Sequence, residues 1–391
     1  MRIVMGLYYY FPYVSGLSVY TKHLAEALVE NGYEVTVITS CYDRSLDKEQ
    51  TMNGVRVIRV PVLLRLNKGV LMPTFVPMLY QHGKKADILL LHLPLAEASV
   101  ITRLFPRKVL INYICDIRLN GRGIGKTLLE YLAYQSMKYA IKTSAYTVAM
   151  SFDYAANSKV LAYYLEKVVP VPPPIKITNF SQKPMSDEYF SQRTNIPKHA
   201  KVIGFLGRIV YEKGIDFLIH AFDDLRKKHD NIYLVIAGDY TNVMGGSIKY
   251  VLNHFLEGRE EQICFTGRLT DDEVDAFYRF IDVLVLPSID PLEAYGMVQV
   301  EAMLRGTPVV ASDMPGVRMA VQVTKMGKIV PRKDPHALAS AIEQVIYNKE
   351  YTLQSPEEIV RLLELGTTVE KYECLFRKMR QSRNREERES A

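Results

Sequence analysis

The sequence predicts an α/β protein with two doubly wound, Rossmann-like parallel-sheet domains that face a ligand-binding cleft. Short apolar runs of strand length alternate with amphipathic stretches of helical spacing in both halves of the chain. Three consecutive prolines, Pro172–Pro174, separate the halves and favour a stiff extended connector, because proline fixes φ and excludes a helix. A length of 391 residues also suits two domains better than one.

The domain boundaries follow from these patterns. We predict a first domain at 1–170, a proline-rich connector at 171–180 and a second domain at 181–365. A final helix at 366–380 is predicted from apolar residues at helical spacing. The polar and charged stretch 381–391 is predicted to be a disordered tail.

The composition is that of an ordinary soluble protein, with 48% apolar and 24% charged residues. No apolar run reaches the roughly 18 residues of a transmembrane helix, and the first residues favour a buried strand over a signal peptide. The four cysteines lie far apart and form no C-x-x-C pair. We therefore expect reduced thiols, a cytoplasmic location and no metal site.

The net charge of +6 is unevenly distributed along the chain. Residues 1–178 contain 21 Lys and Arg against 12 Asp and Glu, whereas the remaining residues contain 28 against 31. The basic half lacks the composition of a nucleic-acid-binding arm, so it favours anionic ligands or an anionic membrane face as partners. An asymmetry without functional meaning is the alternative.

The first half begins with Arg2–Leu7, an apolar run typical of a strand buried on both faces. A helix begins near Gly16, ends at Gly32 and leads to a strand at Glu34–Thr39, which completes a βαβ unit. Four more strands are predicted at Val55–Val60, Asp87–Leu93, Lys108–Tyr113 and Ala145–Met150. A helix is predicted at Lys126–Lys142. The lone His92 at a strand end is more typical of a structural than of a catalytic histidine.

Residues 61–85 allow two interpretations. They mix large apolar residues with four basic ones, Arg65, Lys68, Lys84 and Lys85. The favoured interpretation is a helix that packs on the first sheet and is interrupted at Pro73 and Pro77. The alternative is a basic amphipathic surface that lies on an anionic bilayer.

Gly125-Lys126-Thr127 raises a further alternative, a P-loop NTPase, in which backbone amides surround the phosphates. The first glycine of that motif would stand at position 120, where the sequence has Asn120. Because the motif is incomplete, the pattern supports this function only weakly.

The second half begins with a strand at Lys201–Leu206, followed by Gly207 and Arg208, with Lys213 just before the next helix. Two cations beside a helix start at the carboxyl end of a strand form a strong anion site. Two more strands end in polar loops: Asn231–Ala237 before Gly238, and Gln262–Thr266 before Arg268.

The next unit reads strand, loop, helix and strand, with the strands at Asp282–Leu286 and Pro308–Ala311. Its loop contains Glu293 and Gly296, and Glu301 lies inside a helix that is apolar on nearly every side. A carboxylate in such surroundings needs a partner or a ligand. Ligands bind at the carboxyl edge of open α/β sheets, so the two carboxylates suit a ligand with phosphates and hydroxyl groups.

Several motifs carry a resemblance to a known family. G-R-x4-K-G spans Gly207–Gly214, and E-x7-E joins Glu293 to Glu301. These motifs, the following EAMLRGTPVVAS and the S-x-D-Y-A-x-x-S turn at 151–158 resemble the retaining nucleotide-sugar glycosyltransferases of family 4, also called group 1, which have the GT-B fold. The sequence departs from the family's pattern at Ser15 and Pro315, where a glycine is usual, and at Ile114, where a histidine is usual.

The resemblance implies a role for each matched residue. Arg208 and Lys213 would hold the donor diphosphate and stabilise the charge that it gains during the reaction. Glu301 would accept hydrogen bonds from the ribose hydroxyls, and Glu293 from the hydroxyls of the transferred sugar. The other donor-binding candidates are Gly16, Gly207, Gly238, Arg268, Gly296, Met297 and Val298.

The same resemblance implies an acceptor-side first domain, a donor-binding second domain and a final helix that crosses back to the first. Asp116, in YICDIRL, is the catalytic candidate on the acceptor side, beside Arg208, Lys213 and Glu293. The implied reaction is front-face retaining transfer of a hexosyl group without cofactor or metal, because two cations serve the diphosphate and no D-x-D precedes a loop. A nucleotide-sugar epimerase of the same fold is the alternative chemistry.

The expected partners follow from this reading. They are a UDP- or GDP-linked sugar, a carbohydrate, polyprenyl-linked or glycolipid acceptor, and an anionic membrane surface, but no nucleic acid. We expect a role in cell-envelope or glycolipid glycan synthesis, in the cytoplasm or peripherally on the inner face of the cell membrane.

Overall fold

The computed structural model describes residues 1–66, 69–118, 124–175, 185–186, 188–239 and 261–389. The chain divides into two compact units: unit 1 is Met1–Pro174 with Leu365–Ala391, and unit 2 is Ile175–Glu364. The first division point falls inside the predicted connector 171–180, of which residues 176–180 lie outside the described residues. The second falls one residue from the predicted end of the second domain.

The described strands of unit 1 form an eight-stranded sheet and a small hairpin. In chain order the strands are β1 (Arg2–Gly6), β2 (Glu34–Cys41), β3 (Glu49–Met52), β4 (Val55–Pro61), β5 (Leu64–Leu66), β6 (Gly69–Leu71), β7 (Ile88–Leu93), β8 (Val109–Tyr113), β9 (Tyr146–Ala149) and β10 (Val168–Pro170). The order in the sheet is β10-β9-β8-β7-β1-β2-β4-β3, and every neighbouring pair is parallel except β3 with β4. β5 and β6 form the separate antiparallel hairpin.

The helices of unit 1 before the connector are α1 (Gly16–Glu30), α2 (Phe75–Lys85), α3 (Ala98–Leu104), α4 (Ile124–Thr143) and α5 (Phe152–Asn157). Short 3-10 turns follow at Leu161–Tyr163 and Leu165–Lys167. α1 begins where it does because the Ser15 hydroxyl accepts from the backbone N–H of Ser18, and the Ser18 hydroxyl accepts in return from Ser15 at 2.8 Å.

The described strands of unit 2 form a six-stranded sheet that is parallel throughout. They are β11 (Lys201–Leu206), β12 (Ile232–Ala237), β13 (Ile263–Gly267), β14 (Val283–Leu286), β15 (Val309–Ser312) and β16 (Gly327–Val330), in the order β13-β12-β11-β14-β15-β16. The central strands are almost wholly apolar and buried, so they read as continuous hydrophobic runs.

The described helices of unit 2 cover this sheet. They are α6 (Tyr189–Thr194), α7 (Ile215–Arg226), α8 (Asp271–Phe280), α9 (Met297–Met303), α10 (Arg318–Thr324), α11 (Pro335–Ile346) and α12 (Pro356–Leu362), with a 3-10 turn at Tyr211–Lys213. α7 and α11 bury their apolar faces in one cluster with β11, β12 and β14. Two helix starts have the caps that their sequences favour. Thr270 and Glu273 form a capping box at α8, and Asp334 caps α11 ahead of Pro335.

In both sheets the chain adds strands first on one side of the initial strand and then on the other. This strand order confirms the predicted doubly wound fold class. In unit 1 the chain builds outward from β1 through β2 and β4, then returns to the other side of β1 with β7. In unit 2 it builds from β11 through β12 and β13, then returns beside β11 with β14. The switch points are therefore β1/β7 and β11/β14, where loops leave the sheet in opposite directions and open a crevice.

The last helix, α13 (Thr368–Glu389), follows a 3-10 turn at Leu365–Thr367 and belongs to unit 1. Its buried Tyr372 meets the hydroxyl of Tyr20 on α1 at 2.8 Å. The helix was predicted to end at Arg380, yet it continues to Glu389, and Arg383 donates to the backbone oxygen of Asp87 at 3.2 Å. The prediction of a disordered tail is thus wrong for 381–389, because the charged residues continue the helix; 390 and 391 lie outside the described residues.

The segment 61–85 splits into a hairpin and a helix. Phe75 and Leu79 of α2 are fully buried, as the interpretation of a helix packed on the sheet requires. α2 links β4 to β7, so it runs against the strands and its end lies at the amino edge of the sheet, beside Arg2 and Asp87. The hairpin lies at the carboxyl edge, where β4 ends. The alternative interpretation, one basic surface over 61–85, would therefore span two opposite edges of the sheet, with 67 and 68 outside the described residues. Membrane binding by this segment stays a prediction.

Candidate active site

Three loops meet at the carboxyl edge of β11, β12 and β13. The N–H of Gly207 donates to the backbone oxygen of Ala237 at 3.0 Å, and that of Gly238 donates to Gly267 at 2.9 Å. Ile209 donates to Asp239 at 3.1 Å. Gly207, Gly238 and the residues beside them are thus side by side at the edge where parallel sheets bind ligands.

Gly214 brings the loop after β11 against the loop after β14. Its φ is +66°, and a Cβ built on it would lie 2.1 Å from the backbone oxygen of Pro287. Only glycine allows so close an approach with this backbone conformation. Ile289 also donates to the backbone oxygen of Glu212 at 3.1 Å, which fixes the two loops together.

This contact brings together two residues that are 80 positions apart in the sequence. The ammonium of Lys213 donates to Oε2 of Glu293, and both side chains are mostly buried, at 18% and 17% exposure. The pair lies across the β11/β14 switch point, because Lys213 follows β11 and Glu293 follows β14. Two residues predicted separately, one for the diphosphate and one for the sugar, are therefore in direct contact.

Arg208 is also paired with a carboxylate. Its guanidinium donates to Oε1 of Glu212 at 3.1 Å, and its side chain is 29% exposed. Glu212 is absent from the residues predicted from the sequence, although an acidic residue four positions from Arg208 is a recognisable signal. Each predicted cation thus has an acidic partner that holds it at the edge of the sheet.

Glu301 is anchored by a neighbouring helix. Tyr278 of α8 is fully buried and donates to Oε2 of Glu301 at 2.9 Å. Arg305 donates to the backbone oxygen of Glu301 at 2.9 Å and to Oδ1 of Asp275 at 2.7 Å. Burial raises the pKa of Glu301, against the opposing effects of the Tyr278 hydrogen bond and the charge of Arg305. The partner that the sequence led us to expect for this carboxylate is Tyr278.

The start of α9 depends on Gly296. Its φ is +76°, and a Cβ built there would lie 2.4 Å from Cδ2 of Leu286. Met297 and Val298 form the first turn of α9 and are half-buried. Gly296, Met297 and Val298 therefore follow the switch-point loop directly.

Gln299 is a residue that the motifs did not identify. It is fully buried, and its Nε2 donates to the backbone oxygens of Tyr295 at 2.6 Å and Val317 at 2.8 Å. It thereby joins the loop after β14 to the loop after β15. Its Oε1 has no hydrogen-bond partner among the described residues. A glutamine inside a helix whose other residues are apolar, apart from Glu301, is the signal that could have found it.

Two further predicted donor-binding residues lie on other elements. Arg268 follows β13 and is exposed. Gly16 lies in unit 1 as the first residue of α1, and a Cβ built on it would meet no atom within 4 Å. The local fold therefore does not require a glycine at position 16.

Asp116 has a structural environment in unit 1. Its Oδ1 accepts from the hydroxyls of Tyr113 and Ser158, both at 2.6 Å, and its Oδ2 accepts from the N–H of Lys159 at 3.0 Å. Tyr154 accepts from the N–H of Asp116 at 2.8 Å. The side chain is buried, at 5% exposure. These contacts show that Asp116 fixes the turn at 151–158. The catalytic role predicted for it from the sequence stays a prediction.

His92 is likewise a buried structural residue. Its Nδ1 lies 3.1 Å from Nδ2 of Asn112 on the neighbouring strand and 3.4 Å from the hydroxyl of Thr21. Burial lowers its pKa to about 3, so the imidazole is neutral at physiological pH. Both facts agree with the structural role expected for this histidine.

Neither a metal-binding cluster nor a membrane-spanning helix occurs among the described residues. No group of three or more His, Cys, Asp and Glu side chains lies together in a way that could hold a metal ion. None of the described helices is both long enough and apolar enough to cross a membrane. The metal independence expected from the sequence stays a prediction.

Two family models match the chain. The model described as glycosyl transferases group 1 matches residues 186–359, and the model described as glycosyl transferase 4-like domain matches residues 15–174. An uncharacterized glycosyltransferase of Methanocaldococcus jannaschii is 28% identical over 92% of this chain and 93% of its own length. An alpha-monoglucosyldiacylglycerol synthase of Streptococcus pneumoniae is 24% identical over 88% of this chain and 78% of its own length.

Other curated relatives, at 30–32% identity, are matched over only 33–45% of their own length. Among solved structures, the sucrose-phosphate synthase of Thermosynechococcus elongatus superposes with a TM-score of 0.72 at 18% identity, covering 99% of this chain and 98% of that one. That likeness establishes the GT-B fold. The matches disfavour the epimerase and P-loop alternatives. The chain is an enzyme that belongs to the group 1 glycosyltransferases.

Proposed function

We propose that the protein is a retaining glycosyltransferase that moves a hexosyl group from a UDP- or GDP-linked sugar to a carbohydrate or lipid-linked acceptor without a metal ion. The observation that carries the proposal is the contact of Lys213, after β11, with Glu293, after β14, at the switch point of unit 2, where Arg208 is paired with Glu212 in the same loop as Lys213. Cations beside a carboxylate suit a ligand that presents phosphates and sugar hydroxyls together.

The cations receive the diphosphate. Arg208 and Lys213 are held by Glu212 and Glu293 in the present structure, so their side chains are positioned before a donor binds. As the sugar–phosphate bond breaks, negative charge grows on the diphosphate, and preorganised cations stabilise that charge without reorganisation.

The carboxylates select the rest of the donor. Glu301, oriented by Tyr278, accepts hydrogen bonds from the ribose hydroxyls. Glu293 accepts from hydroxyls of the transferred sugar, and backbone N–H groups of Gly296, Met297 and Val298 donate to the sugar or the phosphates. Gly207 and Gly238 allow the backbone to approach the donor, Gly16 does the same from unit 1, and Arg268 lies toward the base.

The chemical step is a front-face displacement. The bond between the anomeric carbon and the diphosphate oxygen breaks, and a bond to the acceptor oxygen forms on the same face. The departing phosphate oxygen takes the proton of the acceptor hydroxyl, so the anomeric configuration is retained and no protein nucleophile is used.

The acceptor is a carbohydrate or a lipid-linked sugar at the inner face of the cell membrane. The basic charge of residues 1–178 supports an anionic surface as a partner. The relative named as a monoglucosyldiacylglycerol synthase supports a lipid acceptor. We propose a cytoplasmic enzyme of cell-envelope or glycolipid glycan synthesis.

The test is a thermal-shift panel of UDP- and GDP-sugars, followed by transfer with the stabilising donor. A ligand that binds only the folded state raises its melting temperature by mass action. NMR of the first product should give the anomeric configuration of the donor. An inverted product would contradict the mechanism, and conversion of the donor sugar without any acceptor would contradict the activity.

A further inference from the structure

The loop between β11 and α7 places a carboxylate beside a cation of the proposed diphosphate site. Oε1 of Glu212 accepts from the guanidinium of Arg208 at 3.1 Å, and the two side chains are 16% and 29% exposed. A partly exposed ion pair contributes little to the stability of a fold. A negative charge at this place also opposes the binding of an anion. Stability alone therefore does not explain the carboxylate of Glu212.

The contact is not the ordinary pairing of neighbours on one helix. Arg208 and Glu212 are four positions apart, but Val210 between them is extended, with a φ of −133° and a ψ of 156°. Arg208 lies in the loop after β11, whereas Glu212 lies in the 3-10 turn Tyr211–Lys213. The path of this loop, rather than helical spacing, therefore brings the two side chains together.

The turn that carries Glu212 is fixed to the rest of unit 2. Its backbone oxygen accepts from the N–H of Ile289, after β14, at 3.1 Å. Two residues further on, Gly214 lies so close to the backbone oxygen of Pro287 that a Cβ would come within 2.1 Å of it. The backbone of Glu212 therefore cannot withdraw without breaking these contacts, and its carboxylate stays within reach of Arg208.

Four of the charges at this edge form two ion pairs. Arg208 pairs with Glu212, and Lys213 pairs with Glu293. A guanidinium has five N–H donors, so Arg208 can hold a phosphate while it keeps its hydrogen bond to Glu212. Each of these bonds is about 3 Å long, which places the phosphate within about 7 Å of the carboxylate. At that distance two negative charges repel each other, and partial burial strengthens the repulsion.

We propose that Glu212 has two effects on the donor site: its hydrogen bond positions Arg208, and its charge weakens diphosphate binding so that the nucleoside diphosphate product dissociates. This inference rests on the proposed function, which puts the diphosphate on Arg208. The terminal phosphate of the product has a second ionisation near pH 6, so at pH 7 the product carries about one negative charge more than the donor. The repulsion therefore acts more strongly on the product than on the donor.

Glu212→Gln tests the charge, because glutamine keeps the size and the acceptor oxygen of the side chain. The dissociation constant of UDP or GDP, measured by calorimetry, should fall about three- to tenfold. Most of the change should lie in the dissociation rate, measured by displacement, and the gain should shrink as salt rises. Damage to the fold would weaken binding, so a tighter complex is specific to the proposal. Unchanged or weaker affinity would overturn it.

Glu212→Ala tests the positioning of Arg208. It removes the same charge as Glu212→Gln but also the acceptor oxygen that holds the guanidinium. Its single-turnover rate of transfer, which excludes product release, should be lower than that of Glu212→Gln by about tenfold or more, because Arg208 loses its orientation. Equal single-turnover rates of the two variants would overturn the positioning effect.

Asp223→Asn is the matched control. Asp223 pairs with Arg226 at 2.9 Å, and the two side chains are 12% and 29% exposed, close to the values of Glu212 and Arg208. The pair lies at the end of α7, away from the carboxyl edge where the helix begins. Nucleoside diphosphate affinity of Asp223→Asn should stay within about twofold of the wild type. An equal gain in this control would overturn the proposal, since net charge alone would explain it.

Inorganic pyrophosphate separates this inference from the proposed function, because it has the two phosphates without base or sugar. Tighter binding of pyrophosphate to Glu212→Gln, in a protein that transfers no sugar, would keep the inference and remove the proposed function. Sugar transfer by the wild type, with no change in the affinity of Glu212→Gln for pyrophosphate or nucleoside diphosphate, would keep the function and overturn the inference.

Discussion

At the scale of single residues, the two carboxylates of the E-x7-E motif have different surroundings. Glu293 contacts the ammonium of Lys213, whereas Glu301 is held by the hydroxyl of Tyr278 on another helix. The two can therefore be separated experimentally. Each contact joins residues far apart in the sequence, which is why neither partner could be predicted from the motif.

Glu301→Ala should weaken binding of the bare nucleoside diphosphate, because this carboxylate accepts from ribose. Glu293→Ala should leave that affinity nearly unchanged and weaken only the sugar-bearing donor. Each loss should be about 1.5–3 kcal/mol, which is typical of a hydrogen bond to a charged group. Calorimetry with both ligands measures it, and Glu343→Ala, far from the edge, is the control. The reverse pattern would mean that the two roles are exchanged.

The raised pKa of Glu301 makes a second residue-scale prediction. The carboxyl takes up its proton at a higher pH than the ordinary value of 4.5, and the proton removes an acceptor for ribose. Nucleotide affinity should therefore fall as pH is lowered through this raised pKa. Glu301→Gln cannot titrate, so the ratio of wild-type to variant affinity isolates the effect from the phosphate's own titration. A ratio that stays constant down to pH 4.5 would contradict the assignment.

At the scale of elements, the fold requires a glycine at the start of α9 but not at the start of α1. Gly296 is constrained by its own unit, with a positive φ and Leu286 in the way of any Cβ, whereas Gly16 has open space around it. We expect Gly296→Ala to cost about 1–3 kcal/mol of unfolding free energy, because strain is forced on the start of α9. Denaturant titration of unit 2 measures that cost.

Gly16→Ala should change stability by less than about 0.5 kcal/mol, since a new methyl group meets nothing. Any loss of transfer in this variant would then come from the ligand and not from the fold. Full activity with unchanged KM would remove Gly16 from the site.

The strands and the switch-point loops could be predicted from the sequence because their signals are local. Apolar runs such as 201–206 and 283–286 are strands in the structure, and the motifs lie at their carboxyl ends. What could not be predicted depends on tertiary contact. The carboxylate of Asp116 accepts a hydrogen bond from Ser158, 42 positions away in the sequence. Residues 61–85 lie at two opposite edges of the sheet, although apolar and basic residues are mixed along the whole segment. Helix α13 extends beyond the last of its regularly spaced apolar residues, because charged residues with good helix propensity can continue a helix.

At the scale of the whole molecule, two sheets of the same doubly wound topology differ in the side chains at their carboxyl edges. The edge of unit 2 holds paired cations and carboxylates, and the edge of unit 1 carries exposed apolar side chains on the β5–β6 hairpin and the start of α4. This division agrees with a donor in unit 2 and an acceptor beside unit 1, the organisation that we propose.

Transfer should not require a divalent cation, because Arg208 and Lys213 supply the positive charge that a metal would bring to the diphosphate. The rate measured after exhaustive chelation should match the untreated rate within about twofold. Added Mg²⁺ or Mn²⁺ should not rescue Lys213→Ala. Strict dependence of the wild type on an added metal would contradict the proposed diphosphate site.

The most direct test of the central claim, that the β11/β14 switch point is the donor site, is the turnover of Arg208→Ala and Lys213→Ala. Their charge matters most when the diphosphate leaves, so kcat should fall by about 10²–10³ while donor affinity falls much less. Arg361→Ala and Lys328→Ala remove exposed or paired cations elsewhere in unit 2 and should retain wild-type turnover. Activity of both Arg208→Ala and Lys213→Ala within a few-fold of the wild type would contradict the account.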